Sequence, residues 1–308
     1  MQVSWPFDNS SKGLYVVTAG RIKVDRYTGK MYSGSEQVIR VKNGAVFDMR
    51  GVKGLNFSVV LEEGACFVNG SDTSSVSSNS QAVCLTLEGD ASVTPWRDFG
   101  IFAPGHSESF LKLGTYTLTI DSTSGYSFLL DNTTISGTGT IFVKNGKLWA
   151  TQYASIGENC TVSVGSEGTL KLDKNLTVKN FLNDGSIVGG AMLTVLGNLM
   201  ISADIPNLTL AAGATVKASP KKEQKVVSSF SAPGSVKIDA SAINKELLKE
   251  KGHISVLTIP TGSFDSRYNG WELLDQPDSM CKLHWISSGD EKMTLYISLS
   301  QGTRIIVR

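Results

Sequence analysis

The chain has 308 residues, which is long enough for a sizeable core and for one to three domains. Hydrophobic residues make up 41% of it, which excludes a disordered tail, and its 29 basic and 28 acidic residues give a net charge of +1. Because the charges are so evenly balanced, the chain has no net electrostatic field that would attract nucleic acid or an anionic membrane. The 31 glycines, the many Ser, Thr and Asn residues and only 8 prolines favour an all-β fold.

Residues 1–40 contain aromatic and charged strand-like segments, and we predict that they form an N-terminal cap or the preceding coils of a repeat. The first six residues show neither the basic nor the apolar segment of a signal peptide. No stretch approaches the roughly 18 apolar residues of a membrane span, so we expect no membrane insertion by this chain. An exported chain without a leader would be a fragment, and we therefore expect it to be part of a longer polypeptide.

A repeated unit becomes visible from about residue 40 onwards. A glycine, usually preceded by Asn, Glu or Asp, is followed by an alternating apolar run. The copies contain Gly44, Gly64, Gly146, Gly168, Gly185 and Gly213. Neighbouring copies lie 20 residues apart (Gly44 to Gly64), 22 apart (Gly146 to Gly168) or 17 apart (Gly168 to Gly185). A strand, a sharp glycine corner and a second strand every ~20 residues predict the coil of a β-solenoid.

Stacking explains why such a coil needs neighbours. A single coil cannot bury its own apolar row, whereas coils stacked at ~4.8 Å align these rows into one core and pair the backbone groups between layers. Glycine is expected at the corners because a β-branched residue would be strained at positive φ. The alternative is a β-sandwich with hairpin links. We predict solenoid coils over residues 1–238 and a C-terminal capping region over residues 239–308.

The middle of the chain resembles a known family. Residues 111–120 read LKLGTYTLTI, residues 128–141 read FLLDNTTISGTGTI, and residues 143–148 read VKNGKL. This succession is similar to the autotransporter-associated β-strand coils of large bacterial surface proteins, and the resemblance covers residues 40–300. It implies a right-handed parallel β-helix, displayed at the cell surface or secreted, that serves as an adhesive or structural stalk. Host or matrix glycans or surface proteins would be its partners.

The capping region contains the one predicted helix, residues 243–251. Ser241 is its expected N-cap, and Gly252 is its expected terminator. Strands are predicted over residues 253–259, 282–286 and 293–298. Such an atypical end suits a solenoid, because an open stack exposes unpaired strand edges that template aggregation.

The four cysteines show no metal-ligand spacing, so neither a metal site nor a cofactor is expected. Buried single thiols are one interpretation. A disulfide between Cys66 and Cys84, about one repeat apart, is the alternative, and it would fit an oxidising compartment.

Catalytic signatures are sparse, and the sequence predicts no enzyme and no catalytic residue. The corner acids, including Asp121, Asp131, Glu158, Glu167, Asp173 and Asp184, are single, which is typical of turn residues. A loop with His106, Ser107 and Glu108 lacks the strained elbow of a serine hydrolase. The alternative is a polysaccharide lyase or glycosidase, which requires a cluster of at least three acids with Lys or Arg on one solvent face.

A carbohydrate-binding module without catalysis is the remaining alternative. Exposed aromatic side chains on a solenoid face stack on sugar rings, and Trp96, Trp149 and Tyr153 are the candidates. The competing interpretation is core or coil-edge packing, because large aromatic side chains carry much buried area. The sequence therefore predicts a structural or adhesive β-solenoid segment of a secreted or surface-exposed bacterial protein.

Overall fold

The structure is a computed structural model that describes residues 2–4, 14–25, 38–48, 57–69, 80–82, 84–96, 98–101, 108–122, 125–151, 158–220, 224–289 and 291–300. The chain is a β-solenoid of about 8 turns, mostly strand, with parallel sheets and a single α-helix in the described part. The predicted all-β solenoid is confirmed, whereas its right-handed winding stays a prediction. The chain divides into two compact units, residues 1–179 with 184–191 and residues 180–183 with 192–308.

The elements follow one another in short steps along the chain. In order they are β1 (Gln2–Ser4), β2 (Leu14–Val17), β3 (Arg21–Asp25), β4 (Val38–Val41), β5 (Val46–Asp48), β6 (Ser58–Leu61), β7 (Cys66–Asn69), β8 (Ser80–Ala82), β9 (Cys84–Leu87), β10 (Ala91–Pro95), β11 (Phe99–Ile101), β12 (Ser109–Gly114), β13 (Thr117–Asp121), β14 (Ser127–Leu130), β15 (Thr133–Gly137), β16 (Thr140–Ala150), β17 (Thr161–Leu172), β18 (Leu176–Val178), β19 (Asn180–Asn183), β20 (Ser186–Val188), β21 (Leu193–Val195), β22 (Asn198–Ile201), β23 (Ile205–Leu210), β24 (Thr215–Lys217), β25 (Gln224–Ser231), β26 (Lys237–Asp239), α1 (Lys245–Lys251), β27 (His253–Pro260), two 3-10 helices (Thr261–Ser263 and Ser266–Gly270), β28 (Glu272–Leu274), β29 (Cys281–Ser287) and β30 (Lys292–Leu299).

The described strands of the first unit form three faces. The first face consists of β1, β3, β5, β7, β10, β13 and the N-terminal halves of β16 and β17. The second consists of β8, β11, β14, the C-terminal halves of β16 and β17, and β20. The third consists of β2, β4, β6, β9, β12 and β15. All of these pairings are parallel, so each strand lies beside its equivalent in the next coil.

Phenylalanines from successive coils form the centre of the first unit. Phe67 stacks on Phe47 with ring centroids 5.6 Å apart, and its edge meets Phe99 at 5.2 Å. Phe99 in turn contacts Phe128 at 5.4 Å. These rings are fully buried, because strand alternation directs one set of side chains inward and layer stacking places equivalent side chains against one another. The coils are therefore joined by a continuous apolar ladder as well as by backbone hydrogen bonds.

The second unit begins with parallel stacking and ends with antiparallel pairing. Strands β19, β22, β24, β26 and β28 form one parallel series, and β21, β23, β25 and β27 form another. Strand β30 then pairs antiparallel with both β27 and β29. The three C-terminal strands predicted from sequence are confirmed, and their antiparallel order ends the parallel series.

The helix is confirmed, but its N-cap is not Ser241. The α1 helix begins at Lys245, and Leu247 donates its backbone N–H to Oδ1 of Asn244 at 2.7 Å. Ser241 instead donates its own backbone N–H to the Asp239 carboxylate at 2.9 Å. Gly252 ends the helix at φ 76°, as predicted, and its N–H reaches the Leu248 carbonyl.

The corner glycines belong to two structural classes, although the sequence presents them as one motif. Gly44, Gly64 and Gly213 have φ of 69°, 69° and 79° and each is followed by Ala. The N–H of Ala45 donates to the Lys42 carbonyl at 2.9 Å, which closes a four-residue turn with glycine at its third position. That position of a type II turn requires positive φ, so the expected reason for glycine holds here.

Glycines of the second class lie between the first and second faces. Gly146 has φ 82°, but Gly168 and Gly185 do not have positive φ. A Cβ on Gly168 would lie 2.3 Å from the Val143 carbonyl oxygen, and one on Gly185 would lie 2.2 Å from the Gly165 carbonyl oxygen. Close approach of neighbouring coils, not backbone strain, therefore requires glycine at these two positions.

Candidate functional site

Polar residues that precede the second-class glycines stack into one row along the coils. Asp121 pairs in register with Asn145, and Asn145 pairs with Glu167. Asp184 does not continue this register, because its backbone N–H donates to the Val164 carbonyl at 2.8 Å. We call Asp121, Asn145 and Glu167 the corner ladder. Coil stacking thus brings together acids that are single in the sequence.

Asp121 is held on both of its carboxylate oxygens. Lys144 donates from Nζ to Oδ2 at 2.8 Å, and Asn145 donates from Nδ2 to Oδ1 at 2.6 Å. These hydrogen bonds, the one from Lys144 first, hold the pKa of Asp121 below its ordinary value, while Asp121 raises the pKa of Lys144. Asp121 is therefore ionised and joins two neighbouring coils.

A second polar row runs parallel to the corner ladder, on the other side of the glycines. Ser127, Lys147, Thr169 and Ser186 are in register on the second face; we call them the hydroxyl row. Between the two rows lie the backbones of Gly146, Gly168 and Gly185, where neighbouring coils approach closely.

A hollow of about 340 Å³ lies between the corner ladder and the hydroxyl row. It is lined by Ser122, Gly125, Asn145, Gly146, Lys147, Glu167 and Thr169. Within the described residues, the side chains of Lys147, Glu167 and Thr169 make no hydrogen bond, so one ammonium, one carboxylate and one hydroxyl group face the hollow. Such a set both donates and accepts hydrogen bonds, which suits a ligand rich in hydroxyl groups.

Of the aromatic candidates, Trp149 lies on β16, two residues beyond Lys147. Its register neighbours are Leu129 and Lys171, and the Lys171 Nζ lies 3.6 Å from the ring centroid. The indole N–H donates to Asp173 Oδ2 at 2.7 Å. One ring face is thus covered, and a sugar could stack there only after Lys171 moved.

Of the other two aromatic candidates, the structure describes Trp96. Trp96 follows the end of β10 and is 39% exposed. Tyr153 lies outside the described residues, as does His106. Of the two described candidates, Trp96 thus follows a strand of the first face and Trp149 belongs to the second face.

A separate charged cluster lies at the end of the third face and spans three coils. Arg40 donates to Glu62 at 3.1 Å, and it is also hydrogen-bonded to both carboxylate oxygens of Glu88. Lys42 Nζ lies 2.6 Å from Glu62 Oε1. These bonds lower the pKa of Glu62, mainly through Lys42, and that of Glu88, mainly through Arg40, and they raise the pKa of Arg40.

The cysteines are free thiols, so the predicted alternative of a Cys66–Cys84 disulfide is wrong. Cys66 belongs to β7 on the first face, whereas Cys84 belongs to β9 on the third. One repeat of sequence separation therefore does not place the two side chains together. Burial raises the pKa of the Cys160 thiol to about 11, which keeps it protonated and inert. The described residues contain no group of three His, Cys, Asp or Glu side chains that could hold a metal ion.

Comparisons of the chain with protein-family models, with curated proteins and with solved structures found no match. Among the described residues, no helix has the length and apolar composition that crossing a membrane requires. Sequence reasoning identified the corner acids individually but missed the hydroxyl row and the hollow. The signal was present in the second-class copies, where Asn145, Glu167 and Asp184 each precede a glycine that a Lys, Thr or Ser follows.

Proposed function

We propose that this chain is a structural or adhesive segment of a secreted or cell-surface bacterial protein, without catalysis. The observation that carries the proposal is the use of ionised side chains to join coils. Asp121 connects β13 to β16, and Arg40 connects three successive coils. Charged groups engaged in this way stabilise the stack, and a stack of this kind suits a stalk that presents a long lateral surface.

The resemblance to autotransporter-associated β-strand coils supports the same proposal. The segment that carries it, residues 111–148, supplies β13, β14 and β15 with most of β12 and β16, which lie in consecutive coils. Its glycines fit the corners between these strands. A passenger-type surface protein would encounter host or matrix glycans and surface proteins, and we propose these as its partners.

Geometry also argues against the enzyme alternative at the corner ladder. Asp121 and Glu167 lie two coil steps of ~4.8 Å apart in the corner ladder, near the upper limit for the carboxylate pair of an inverting glycosidase. However, both oxygens of Asp121 are engaged, and its lowered pKa keeps it ionised. It therefore lacks the proton of a general acid, and the hydrogen bonds from Lys144 and Asn145 make it a weaker base.

The test is incubation with a panel of neutral and acidic glycans, with reducing ends and unsaturated uronates monitored. In parallel, retention of the protein on the same immobilised glycans and on host surface proteins is measured. The proposal predicts retention without turnover. Turnover that Asp121→Asn or another single Asp or Lys substitution abolishes would contradict it, and so would a lack of retention on every surface.

A further inference from the structure

The outer face of the antiparallel sheet formed by β27, β30 and β29 carries a cluster of hydrogen-bond donors. Two cross-strand rows compose it, with His253, Ser298 and Lys282 in one and Ser255, Tyr296 and His284 in the other. Ile254 and Ile297, which alternate with these residues along the strands, are buried, so both rows lie on the side away from the core. We call the six residues of the two rows the imidazole face.

Tyr296 lies between the two imidazole rings of this face. The His253 ring meets the tyrosine ring edge to face, with centroids 4.7 Å apart, and the His284 ring stacks on it at 6.0 Å. Ser298 Oγ lies 3.4 Å from Nδ1 of His284. Strands β27 and β29 flank β30 and are about 10 Å apart, two inter-strand spacings of ~4.8 Å. Side chains from both outer strands can therefore reach one small group that lies over β30.

The imidazole face offers donors and contains no carboxylate in its two described rows. Lys282 is exposed and makes no ion pair within the part of the chain that the structure describes. Protonation turns both nitrogens of an imidazole ring into donors. At acidic pH, the rings of His253 and His284 and the ammonium group of Lys282 would present up to three positive charges, with hydroxyl groups between them.

The elements packed against these strands are α1, β25, β28 and the second 3-10 helix. Their charged and titratable side chains, with the one remaining lysine of β30, are Lys245, Glu246, Lys249, Glu250 and Lys251 of α1, Lys225 of β25, Glu272 of β28, Arg267 and Tyr268 of the 3-10 helix, and Lys292 of β30. Lys245 is paired with Asp278, and Arg267 is paired with Asp265.

The pKa of His284 is lowered by burial first and by His253 second, and none of the described carboxylates raises it. The two imidazole rings therefore share one electrostatic environment. An anion bound between them would stabilise the imidazolium form, because an opposite charge nearby favours the charged state.

A sulfate ester is the anion that fits both this geometry and this pH range. Its three terminal oxygens point in different directions and accept hydrogen bonds from donors on several sides, whereas the two oxygens of a carboxylate lie in one plane. A sulfate ester also stays fully ionised in mild acid. A phosphate monoester loses part of its charge there, because its second pKa is about 6. The sulfate thus retains its charge where the imidazole face acquires its own.

We infer that the imidazole face binds sulfate esters of a glycan at acidic pH, with His253, His284 and Lys282 as the ion-pairing residues. This inference rests on the proposed adhesive function, and it adds a ligand class, a site and a pH range. Affinity should increase as the pH falls below 6.5, the ordinary pKa of histidine, because binding is coupled to protonation.

The experiment measures the affinity of the full chain for a heparin oligosaccharide at about pH 5.5 and about pH 7.5. Hyaluronan of equal length is the polymer without sulfate, and phosphatidylserine vesicles supply a phosphate-bearing surface. We expect binding to heparin to be about tenfold or more tighter at the lower pH, and tighter than to either comparison.

Substitutions assign the effect to the imidazole face. A variant with both His253→Gln and His284→Gln should bind heparin equally at the two pH values, within about twofold. Lys282→Met should weaken binding at the lower pH about fivefold or more. Lys112→Met is the matched control, since Lys112 is an exposed lysine of β12 on the third face, and it should leave affinity within about twofold.

An NMR titration of the His284 ring provides a readout that needs no substitution. Bound heparin should raise the pKa of His284 from its lowered value, because an adjacent anion stabilises the imidazolium form. Equal pH dependence in the wild type and the double variant, or a His284 titration that heparin leaves unchanged, would overturn the imidazole face as the site.

The comparison ligands test the assignment to sulfate esters. Equal affinity for hyaluronan or for phosphatidylserine vesicles would overturn that assignment. A chain that binds heparin at neither pH would overturn the site, while retention on other glycans or on host surface proteins would leave the adhesive function intact.

Discussion

At the scale of single residues, the two classes of corner glycine show that one sequence signal has two physical causes. Gly44 needs positive φ, yet a Cβ there would meet no atom within 4 Å, whereas Gly168 has ordinary φ and no room. Asn tolerates the left-handed region better than Ala does, and a larger side chain worsens a steric clash. The two causes therefore respond differently to the same substitutions.

Substitution series at Gly44 and Gly168 separate backbone strain at positive φ from a steric clash with the neighbouring coil. Gly44→Ala should lower the free energy of unfolding by about 1 kcal/mol, and Gly44→Asn by less. Gly168→Ala should cost about 1–3 kcal/mol, and Gly168→Asn more, because the neighbouring backbone must move. Urea unfolding measures these values.

Gly190→Ala is the control for both series. A Cβ on Gly190 meets nothing within 4 Å, and its φ is not positive. Its free energy of unfolding should stay within about 0.5 kcal/mol of wild type. If Asn were better tolerated than Ala at Gly168, the steric explanation for that glycine would be wrong.

The sequence predicts where corners fall but not which force requires glycine there. The pairing of Gly168 with the Val143 carbonyl depends on the register between coils, which no local pattern contains. The same limit applies to the cysteines, because Cys66 and Cys84 are about one repeat apart but belong to different faces. Exposure of Trp149 cannot be read from the sequence either, since Lys171 covers it from the next coil.

At the scale of elements, polar side chains determine how strands and helices end and how coils are joined. Asn244 caps α1, and the Arg40 cluster connects the ends of β4, β6 and β9. The sequence predicted the helix and its C-terminal glycine, but it placed the cap at Ser241. Both Ser241 and Asn244 are good N-cap residues, and tertiary packing selects between them.

The cap assignment gives a direct stability test. Asn244→Ala should destabilise the protein by about 1 kcal/mol, because the backbone N–H of Leu247 loses its partner at the helix end. Ser241→Ala should change stability by less than about 0.5 kcal/mol. Thermal unfolding followed by far-UV circular dichroism compares the two variants, and a larger effect at Ser241 would contradict the cap assignment.

The Arg40 cluster makes stability depend on pH. The pKa values of Glu62 and Glu88 are lower in the folded chain than their ordinary value of 4.5. Their contribution is therefore present above that value and is lost as the pH falls through the folded-state pKa. Arg40→Met removes the partner of Glu88 and should flatten the decrease in Tm between about pH 5 and about pH 3.

Solvent screening limits how much the Arg40 cluster contributes to stability. Exposed ion pairs contribute little individually, so Arg40→Met should cost about 1 kcal/mol near neutral pH. The Met side chain retains an apolar stem over Val60. Val60 is the register neighbour of Arg40 and is only 8% exposed. If Arg40→Met had the same acid dependence as wild type, the cluster would not be the source of that dependence.

At the scale of the whole molecule, layer stacking converts weak local patterns into a core. Coil length varies, since the paired Leu193 and Leu208 are 15 residues apart and the paired Phe99 and Phe128 are 29 apart. The sequence predicted the solenoid because inward rows alternate in every coil. It gave spacings of only 17 to 22 residues, and the observed range is wider because residues inserted at corners leave the strand register unchanged.

The phenylalanine ladder should dominate the stability of the first unit. Phe67→Ala leaves a cavity between Phe47 and Phe99 and should cost about 3–5 kcal/mol. Phe110, which is 36% exposed on the third face, is the control and should cost less than about 1 kcal/mol when changed to Ala. Hydrogen exchange should show the loss of protection for Phe67→Ala concentrated in β5, β7 and β10, and equal costs at the two positions would contradict the ladder.

The central claim is that equivalent strands of successive coils lie parallel and in register. Spin labels at positions 140 and 161, in a variant whose four native cysteines are replaced, test it by dipolar broadening. The pairing of Thr140 with Thr161 predicts strong broadening, because adjacent strands are separated by about 4.8 Å. Labels at positions 140 and 171 should show no dipolar broadening, since Lys171 lies at the far end of β17. Strong broadening for 140 and 171 with none for 140 and 161 would indicate an antiparallel hairpin and contradict the solenoid.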